Sequence, residues 1–336
     1  MRSVSYLVRD VAIVAGLAYA AYTFGPTAPL LWPLYWFAQG TMFWALFVVG
    51  HDCGHRSFSN NNTLNDLIGH LTHSSILVPY HPWRISHRTH HANHGHVEND
   101  ESWTPITQSE WASMGWFKRF VRFFPPLALV LYPFYLVAGH RGSHYDPEGD
   151  LFAESEKGMV QTSNAFLVGM WAILGLSVAK LGLAMTVGLY FVPYVINVMW
   201  LDFVTYMHHH GPEDGEQVPW YRGEEWTYMR GGLSTLDHDY GVFNKIHHDI
   251  GTHVVHHLFS QVPHYHLTEA TEAVKPVMGP YYREPVKSGL WPGHLWTTFL
   301  KALARDHYVA DEGGIVFYQT DPNALDKETK VTAKST

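Results

Sequence analysis

Cysteine is nearly missing from this chain: Cys53 is the only one in 336 residues. No internal disulfide can form, and nothing points to an oxidising compartment. Charge is also scarce. Asp, Glu, Lys and Arg make up 15% of the residues, and 22 Lys and Arg face 30 Asp and Glu, for a formal net charge of −8. That balance argues against nucleic acid as a partner. There is no internal repeat, no glycine-rich phosphate loop and no linker between domains. His-Glu-x-x-His, the signature of a zinc protease, is absent too. Apolar and aromatic side chains are plentiful instead, at 46% and 15% of the residues. Mean hydropathy is nevertheless only −0.11, too polar for a chain made of membrane spans alone. The expectation is a set of membrane helices carrying a sizeable polar cap.

The apolar residues fall into runs. Val11 to Phe24 and Leu30 to Gly50 are separated by a Gly/Pro break at Gly25–Pro29. Both approach the roughly 20 residues that span a bilayer, and together they read as a transmembrane hairpin. Ala165 to Ala179 and Leu183 to Trp200 form a second pair, broken near Lys180–Gly182. Phe123 to Gly139 is apolar but interrupted by Pro125, Pro126 and Pro133. Leu64 to Tyr80 is short and carries Asn65, Asp66, His70 and His73, which suits an interfacial or capping helix. The tail from Asp321 to Thr336 is charged and rich in Thr and Ser, so it is expected to be disordered. Residues 1–320 are left as one domain.

Histidine carries the chemistry. Of 25 histidines, ten lie between His51 and His96 and eleven between His208 and His266. Three short boxes stand out: His51-Asp52-Cys53-Gly54-His55, His87-Arg88-Thr89-His90-His91 and His253-Val254-Val255-His256-His257. Spacings of i, i+3 and i+4 put imidazoles on one face of a helix. The eight imidazoles of the boxes are too many for one metal, since a structural zinc takes four ligands and a catalytic zinc three plus water. Two metals with open positions use them better. Imidazole suits zinc, copper, iron and nickel alike, so ligand type does not name the metal. Any one of His208, His209 and His210, just past the last apolar run, can add a ninth ligand; His209 is the choice. Asp52, Glu98, Asp100, Asp202 and Asp249 are candidates to hold the far side of ligand rings. His70, His73, His81, His94, His96, His247, His248, His264 and His266 are left outside the ligand set, because their spacing does not complete a face with a box.

All boxes must meet on one side of the membrane, so the number of crossings between His91 and His209 must be even. Three apolar runs lie there, and the proline-broken one is the one to read as re-entrant or interfacial. The expected fold is an all-α integral membrane protein. Four transmembrane helices in two hairpins carry a cytoplasmic or stromal helical cap that holds a di-metal site. Lys118, Arg119 and Arg122 then share a side with Arg2 and Arg9, as the positive-inside bias asks.

The three boxes resemble those of the membrane fatty-acid desaturases. Trp83-Arg84-Ile85-Ser86, the stretch from Gly95 to Trp103, Trp220-Tyr221-Arg222-Gly223 and the stretch from His247 to His253 look like the omega-3 type of plants and green algae. The resemblance runs from Arg2 to Pro322. It implies two iron ions, O2 as co-substrate and acyl chains on membrane lipids. It also implies an electron donor, ferredoxin in plastids or cytochrome b5 at the endoplasmic reticulum. The family's ligands map onto His51, His55, His87, His90, His91, His253, His256 and His257, and by position after the last span onto His209. The implied reaction places a cis double bond at position 15 of lipid-linked 18:2 chains, giving 18:3. An omega-6 (position 12) desaturase or an acyl hydroxylase on the same scaffold is the alternative, because the boxes do not separate these outcomes. From another class, a histidine-rich zinc transporter would place polar ligands within its spans, whereas these boxes sit at helix ends or outside. A chloroplast membrane is the expected location, with the endoplasmic reticulum as alternative. The chain starts almost at its first apolar run, so a plastid transit peptide is expected to be missing or never present. Two positions depart from the family pattern, Pro82 before Trp83 and His238 where Arg is usual.

Overall fold

A computed structural model of the chain describes residues 1–214 and 216–322. The tail expected to be disordered lies outside them, apart from Asp321 and Pro322. Two long helices, α1 (Arg2–Phe24) and α2 (Trp32–Gly54), open the chain, and α3 (Asn62–Ser74) and α4 (Tyr80–Asn93) follow. Four short helices come next: α5 (Gln108–Ser113), α6 (Trp116–Phe123), α7 (Pro125–Ala128) and α8 (Tyr132–Ala138). The chain then runs through α9 (Lys157–Leu181), α10 (Leu183–Thr186), a π turn (Val187–Phe191) and α11 (Val192–His209). α12 (Tyr228–Gly232), α13 (His253–Leu258), α14 (His264–Met278) and α15 (Gly293–Arg305) follow among the described residues. Among the described residues strand is confined to two-residue pieces in antiparallel pairs, Trp220–Tyr221 with Ile315–Val316 and Tyr308–Val309 with Tyr318–Gln319.

Among the described residues, three helical stretches are long and apolar enough to cross a membrane: Arg2–Phe24, Glu154–Leu181 and Leu183–His209. The sequence led us to expect four, and α2 is the difference. It has 23 residues, but Trp, Tyr, Pro, Gln, Thr and His dilute its aliphatic content. Every residue from Gln39 to Cys53 is buried, because α1, α3 and α11 pack around it. α2 is thus the hub of the fold rather than a lipid-facing rod. Glycine allows that close packing. A Cβ on Gly40 would lie 2.6 Å from Ile196 of α11, and one on Gly50 would lie 2.2 Å from the His73 ring of α3.

The π turn has an identifiable cause. Pro193 has no N–H for the carbonyl of Leu189, and the Val192 N–H reaches back to Val187 instead of Gly188. Two carbonyls are left over, and buried carbonyls need partners. Trp36 Nε1 donates to Gly188 O at 2.9 Å and Tyr35 Oη to Leu189 O at 2.7 Å. The aromatic start of α2 is thereby pinned to α11. The proline-broken run is cut into helices of four and seven residues, α7 and α8, neither long enough to span. Asp202 of α11 takes the backbone N–H of Tyr132 at 3.2 Å, which holds α8 against α11.

Candidate metal centre

α2 ends in the first box, α4 carries the second and α13 is the third. Helix α13 has only six residues, too few to stand alone. Asp237 holds it in place by accepting the N–H groups of His253 and Val254 at 2.6 and 2.8 Å, while Tyr282 donates to its other oxygen at 2.7 Å.

The boxes do not form one blob of imidazole but two clusters. His51, His55, His87, His91 and His256 each offer a ring nitrogen within 4.8 Å of the others'. His90, His94 and His257 converge in the same way, as do His209, His253 and His257, so His257 joins these three-residue sets into a second five-membered cluster. Box sequence therefore does not map onto cluster: His87 and His91 face one, His90 the other. Spacing explains it, since i and i+4 align on a helix while i+3 lies on the neighbouring stripe.

The closest nitrogens are Nε2 of His87 and His91 at 3.2 Å, Nε2 of His91 and His256 at 3.2 Å, and Nε2 of His253 and His257 at 3.0 Å. Two nitrogens each about 2.1 Å from one metal stand roughly 3.0–3.4 Å apart at ordinary ligand angles. Burial, and after it the charge of neighbouring imidazoles, holds His87, His91, His253, His256 and His257 well below the usual histidine range. They are neutral at pH 7, the form whose lone pair binds metal. His55 Nε2 is buried without a protein partner. Convergent neutral donors with an orphaned nitrogen among them fit a pair of metal ions.

The three histidines after the last apolar run separate cleanly. His209 faces His253 and His257. His208 Nδ1 bonds Leu236 O at 2.7 Å, and His210 stacks on Tyr206 with Tyr318 at its other side.

The fatty acid desaturase family profile matches residues 27–288. The chain belongs to the fatty acid desaturase family. Among curated relatives, the desaturase is 60% identical to an omega-3 fatty acid desaturase, chloroplastic, of Brassica napus, covering 99% of this chain and 82% of that protein. It is 61% identical to an sn-2 acyl-lipid omega-3 desaturase (ferredoxin), chloroplastic, of Helianthus annuus, over 97% and 73%. It is 54% identical to an acyl-lipid omega-3 desaturase (cytochrome b5), endoplasmic reticulum, of Arabidopsis thaliana, over 96% and 83%.

Of the five carboxylates considered from sequence, Asp100 is the one that grips cluster histidines directly. It is fully buried and receives His90 Nδ1 at 2.7 Å and His94 Nδ1 at 3.1 Å. Burial works against its charge, but the His90 and His94 contacts outweigh that and hold the carboxyl well below its usual range. Asp52 lies 3.8 Å from His51 and bonds His264 at 2.7 Å. Glu98 pairs with Arg222 on the surface, Asp202 with a backbone N–H, and Asp249 with Lys245. His94 lies outside the ligand set expected from the boxes. It stands four residues after His90 at the end of α4, on the stripe that turns to the second cluster. The i, i+4 spacing of His90 and His94 is written in the sequence, but it runs past the end of the second box. Asp237 lies 16 residues from His253, and no local pattern could have revealed it.

The remaining histidines do other work. His248 bonds Asp10 of α1 at 2.6 Å, which ties α1 to the cap. His247 sits among Trp44, Trp200 and Phe243, and burial pushes it down to about 3. His238 spans Glu213 at 2.6 Å and Met207 O at 2.8 Å. Pro82 lies in the first turn of α4, where a missing N–H costs nothing.

A cavity of about 580 Å³ adjoins the clusters. His51, His87, His90, His209 and His253 stand on its wall beside Trp44, Phe47, Trp83, Tyr132, Leu201 and Leu303. Its size is that of an ordinary organic-ligand site, and its lining is mostly apolar.

Proposed function

We infer that this desaturase is an O2-dependent, di-iron acyl-lipid omega-3 desaturase that adds a cis double bond at position 15 of linoleoyl chains. The observation that carries this is the 60–61% identity to plant omega-3 desaturases over nearly the whole chain. The higher identity to chloroplastic relatives than to the 54% endoplasmic-reticulum one favours a plastid membrane and ferredoxin as electron donor. Residues 1–320 act as one desaturase domain.

In this reading His51, His55, His87, His91 and His256 hold one iron. His90, His209, His253 and His257, with His94, hold the other. Iron, when bound, supplies the redox chemistry with O2 that breaking an unactivated C–H bond requires. The chain's own residues do the rest. Asp100 fixes the tautomer of His90 and His94 so that Nε2 points inward. Trp83, stacked on His87 at 4.6 Å, keeps that ring from turning. The apolar cavity wall holds the acyl chain in one pose and excludes water.

For topology we take α1 and α2 as one membrane hairpin and α9 with α10–α11 as the other, with the clusters capping the side where α2 and α11 end. The length of α2 and the shortness of α7 and α8 support this arrangement.

The test is expression in yeast with a ferredoxin and its reductase, linoleate feeding, and mass spectrometry of the fatty-acid methyl esters. New alpha-linolenate is the expected product. A hydroxy acid, or conversion of oleate to linoleate alone, would overturn the assigned reaction.

A further inference from the structure

A second cavity, of about 590 Å³, adjoins the first. Thr104, Ile106, Arg122 and His140 stand on the walls of both. The two differ in chemistry. The first holds cluster histidines among apolar side chains, whereas Thr107, Ser113 and Lys118 add hydroxyls and charge to the second. Lys118 and Arg122 are four residues apart on α6, so they share a face of that helix. Both are exposed, and among the described residues no acid pairs with either. The acids of this cavity are engaged elsewhere. Glu98 pairs with Arg222 at 2.5 Å, and Glu110 accepts the Thr107 N–H at 2.8 Å in capping α5. With Glu98 neutralised by Arg222, two cations stand against one carboxylate, Glu110, whose field reaches Arg122 without an ion pair. The neighbouring Arg119 is occupied, 3.5 Å from Asp321 and over the Trp111 ring. On the same helix Trp116, Phe117 and Phe120 are exposed. Exposed aromatic rings beside basic residues seat a short helix in a membrane interface.

We propose that Lys118 and Arg122 bind the phosphate of a phosphoglycerolipid substrate whose acyl chain lies in the first cavity. The proposal rests on the acyl-lipid reading given above and adds the head group to it. A glycerolipid is an apolar chain joined to a polar head, and the two cavities offer an apolar chamber at the histidine clusters and a polar one beside it. The guanidinium presents a fork of N–H donors that matches phosphate oxygens, and the ammonium adds a point charge one turn away. Phe123, Ala128, Leu131 and Phe134, which follow Arg122 along the chain, line the first cavity. The proline-broken run is thus basic where the head would sit and apolar where the tail would enter, which gives a segment too short to span a use. With α6 held at the interface by its aromatic rings, a lipid reaches the site without leaving the membrane. A neutral sugar head group on the same acyl chains gains nothing from the two charges, so the site discriminates by head-group charge.

The test uses the full-length, iron-loaded protein in neutral detergent, with two substrates of identical acyl chains: dilinoleoyl phosphatidylglycerol and dilinoleoyl monogalactosyldiacylglycerol. Arg122→Gln and Lys118→Gln should each raise KM for the phospholipid about tenfold, as for loss of one hydrogen bond to a charged group. Neither should change kcat, iron content or KM for the galactolipid, and Arg122→Lys should recover part of the loss. An unmoved phospholipid KM, an equal rise for both lipids, or a fall in kcat alone would overturn the proposal. A rise confined to KM for ferredoxin would overturn it in favour of an acidic protein docking on α6. A site for free phosphate would show as an effect of inorganic phosphate on galactolipid turnover that Arg122→Gln abolishes, with the phospholipid KM unmoved. If Arg122→Gln does not accumulate, Lys118→Gln, on the exposed face of α6, decides by the same comparison. Native mass spectrometry with both lipids reads the site without turnover. The phospholipid adduct should fall about tenfold in the variants while the galactolipid adduct holds, and equal adducts refute the proposal. That readout stands even if product analysis shows the reaction to be another, so the two failures are distinguishable.

Discussion

Asp100→Asn separates the structural and chemical roles of a single carboxylate. Asp100 accepts four hydrogen bonds: from His90 Nδ1, His94 Nδ1, and the N–H groups of Ser102 and Trp103. Alanine would strand all of these donors in a dry interior. Each unsatisfied buried group costs about 1–3 kcal/mol, and removing one partner of a buried charged pair about 3–5 kcal/mol. That is a large share of a typical folding stability of about 5–15 kcal/mol, so Asp100→Ala should fail to accumulate. Asparagine keeps the shape but offers one acceptor oxygen. Oδ1 already serves His90 and both backbone N–H groups, so the amide oxygen stays there and the NH2 turns toward His94. The His94 ring must then accept at Nδ1 and carry its proton on Nε2, the nitrogen that faces the second cluster. Loss of such a supporting contact weakens metal binding about 10–100-fold. Chelator competition on purified protein, read as iron retained per chain, measures this directly. His94→Ala should weaken binding similarly, and the Asp100→Asn/His94→Ala double variant should be no worse than either alone. Wild-type retention in Asp100→Asn, or additive losses in the double variant, would refute the reasoning.

Three further outcomes are expected. His209→Ala should abolish product formation while His208→Ala and His210→Ala retain part of it, measured by linolenate yield at matched expression; the reverse pattern would move the ligand by one residue. The fold should weaken on acidification. His91, His253, His256 and His257 are buried and neutral when folded, so below a pKa near 6.5 the unfolded chain binds more protons and stability falls as pH falls. Between pH 7.5 and 5.5 the unfolded-state imidazoles take up protons that the folded ones refuse, so each of the four adds to the loss. The midpoint of thermal unfolding in detergent should drop accordingly, and a flat profile would mean these imidazoles are not held neutral. Single cysteines at Thr27 and Gly182 should be labelled from one side of the membrane, and those at Ser102 and Glu224 from the other, with buried Cys53 silent; labelling of Ser102 and Glu224 from opposite sides would break the proposed topology.

Much of the site was legible in the chain because metal ligation needs a local pattern. An imidazole pair at i, i+4 on a helix is written in consecutive residues, so His51/His55, His87/His91 and His253/His257 could be read directly. The same periodicity could have brought in His94 after His90. What local spacing cannot say is which pair meets which. The second and third boxes each split between stripes by spacing, but which stripe of one helix meets which of another depends on how α2, α4 and α13 cross, and that is a property of packing.

The sequence by itself determined that the chain is helical, that its apolar runs are of membrane length, and that its histidines gather at helix ends. These follow from composition and from periodicities of a few residues. Tertiary structure alone decided three other matters. α2 became the buried hub because glycines at 40 and 50 let α11 and α3 approach its backbone. Asp237 became the support of the third box because a loop 16 residues before His253 folds back against it. Glu101 became a buried carboxyl at a cavity wall because the fold sets the Tyr135 and Ser102 hydroxyls, rather than solvent, against it. A side chain's neighbours across the fold set its charge state and its partners, and no window along the sequence contains them.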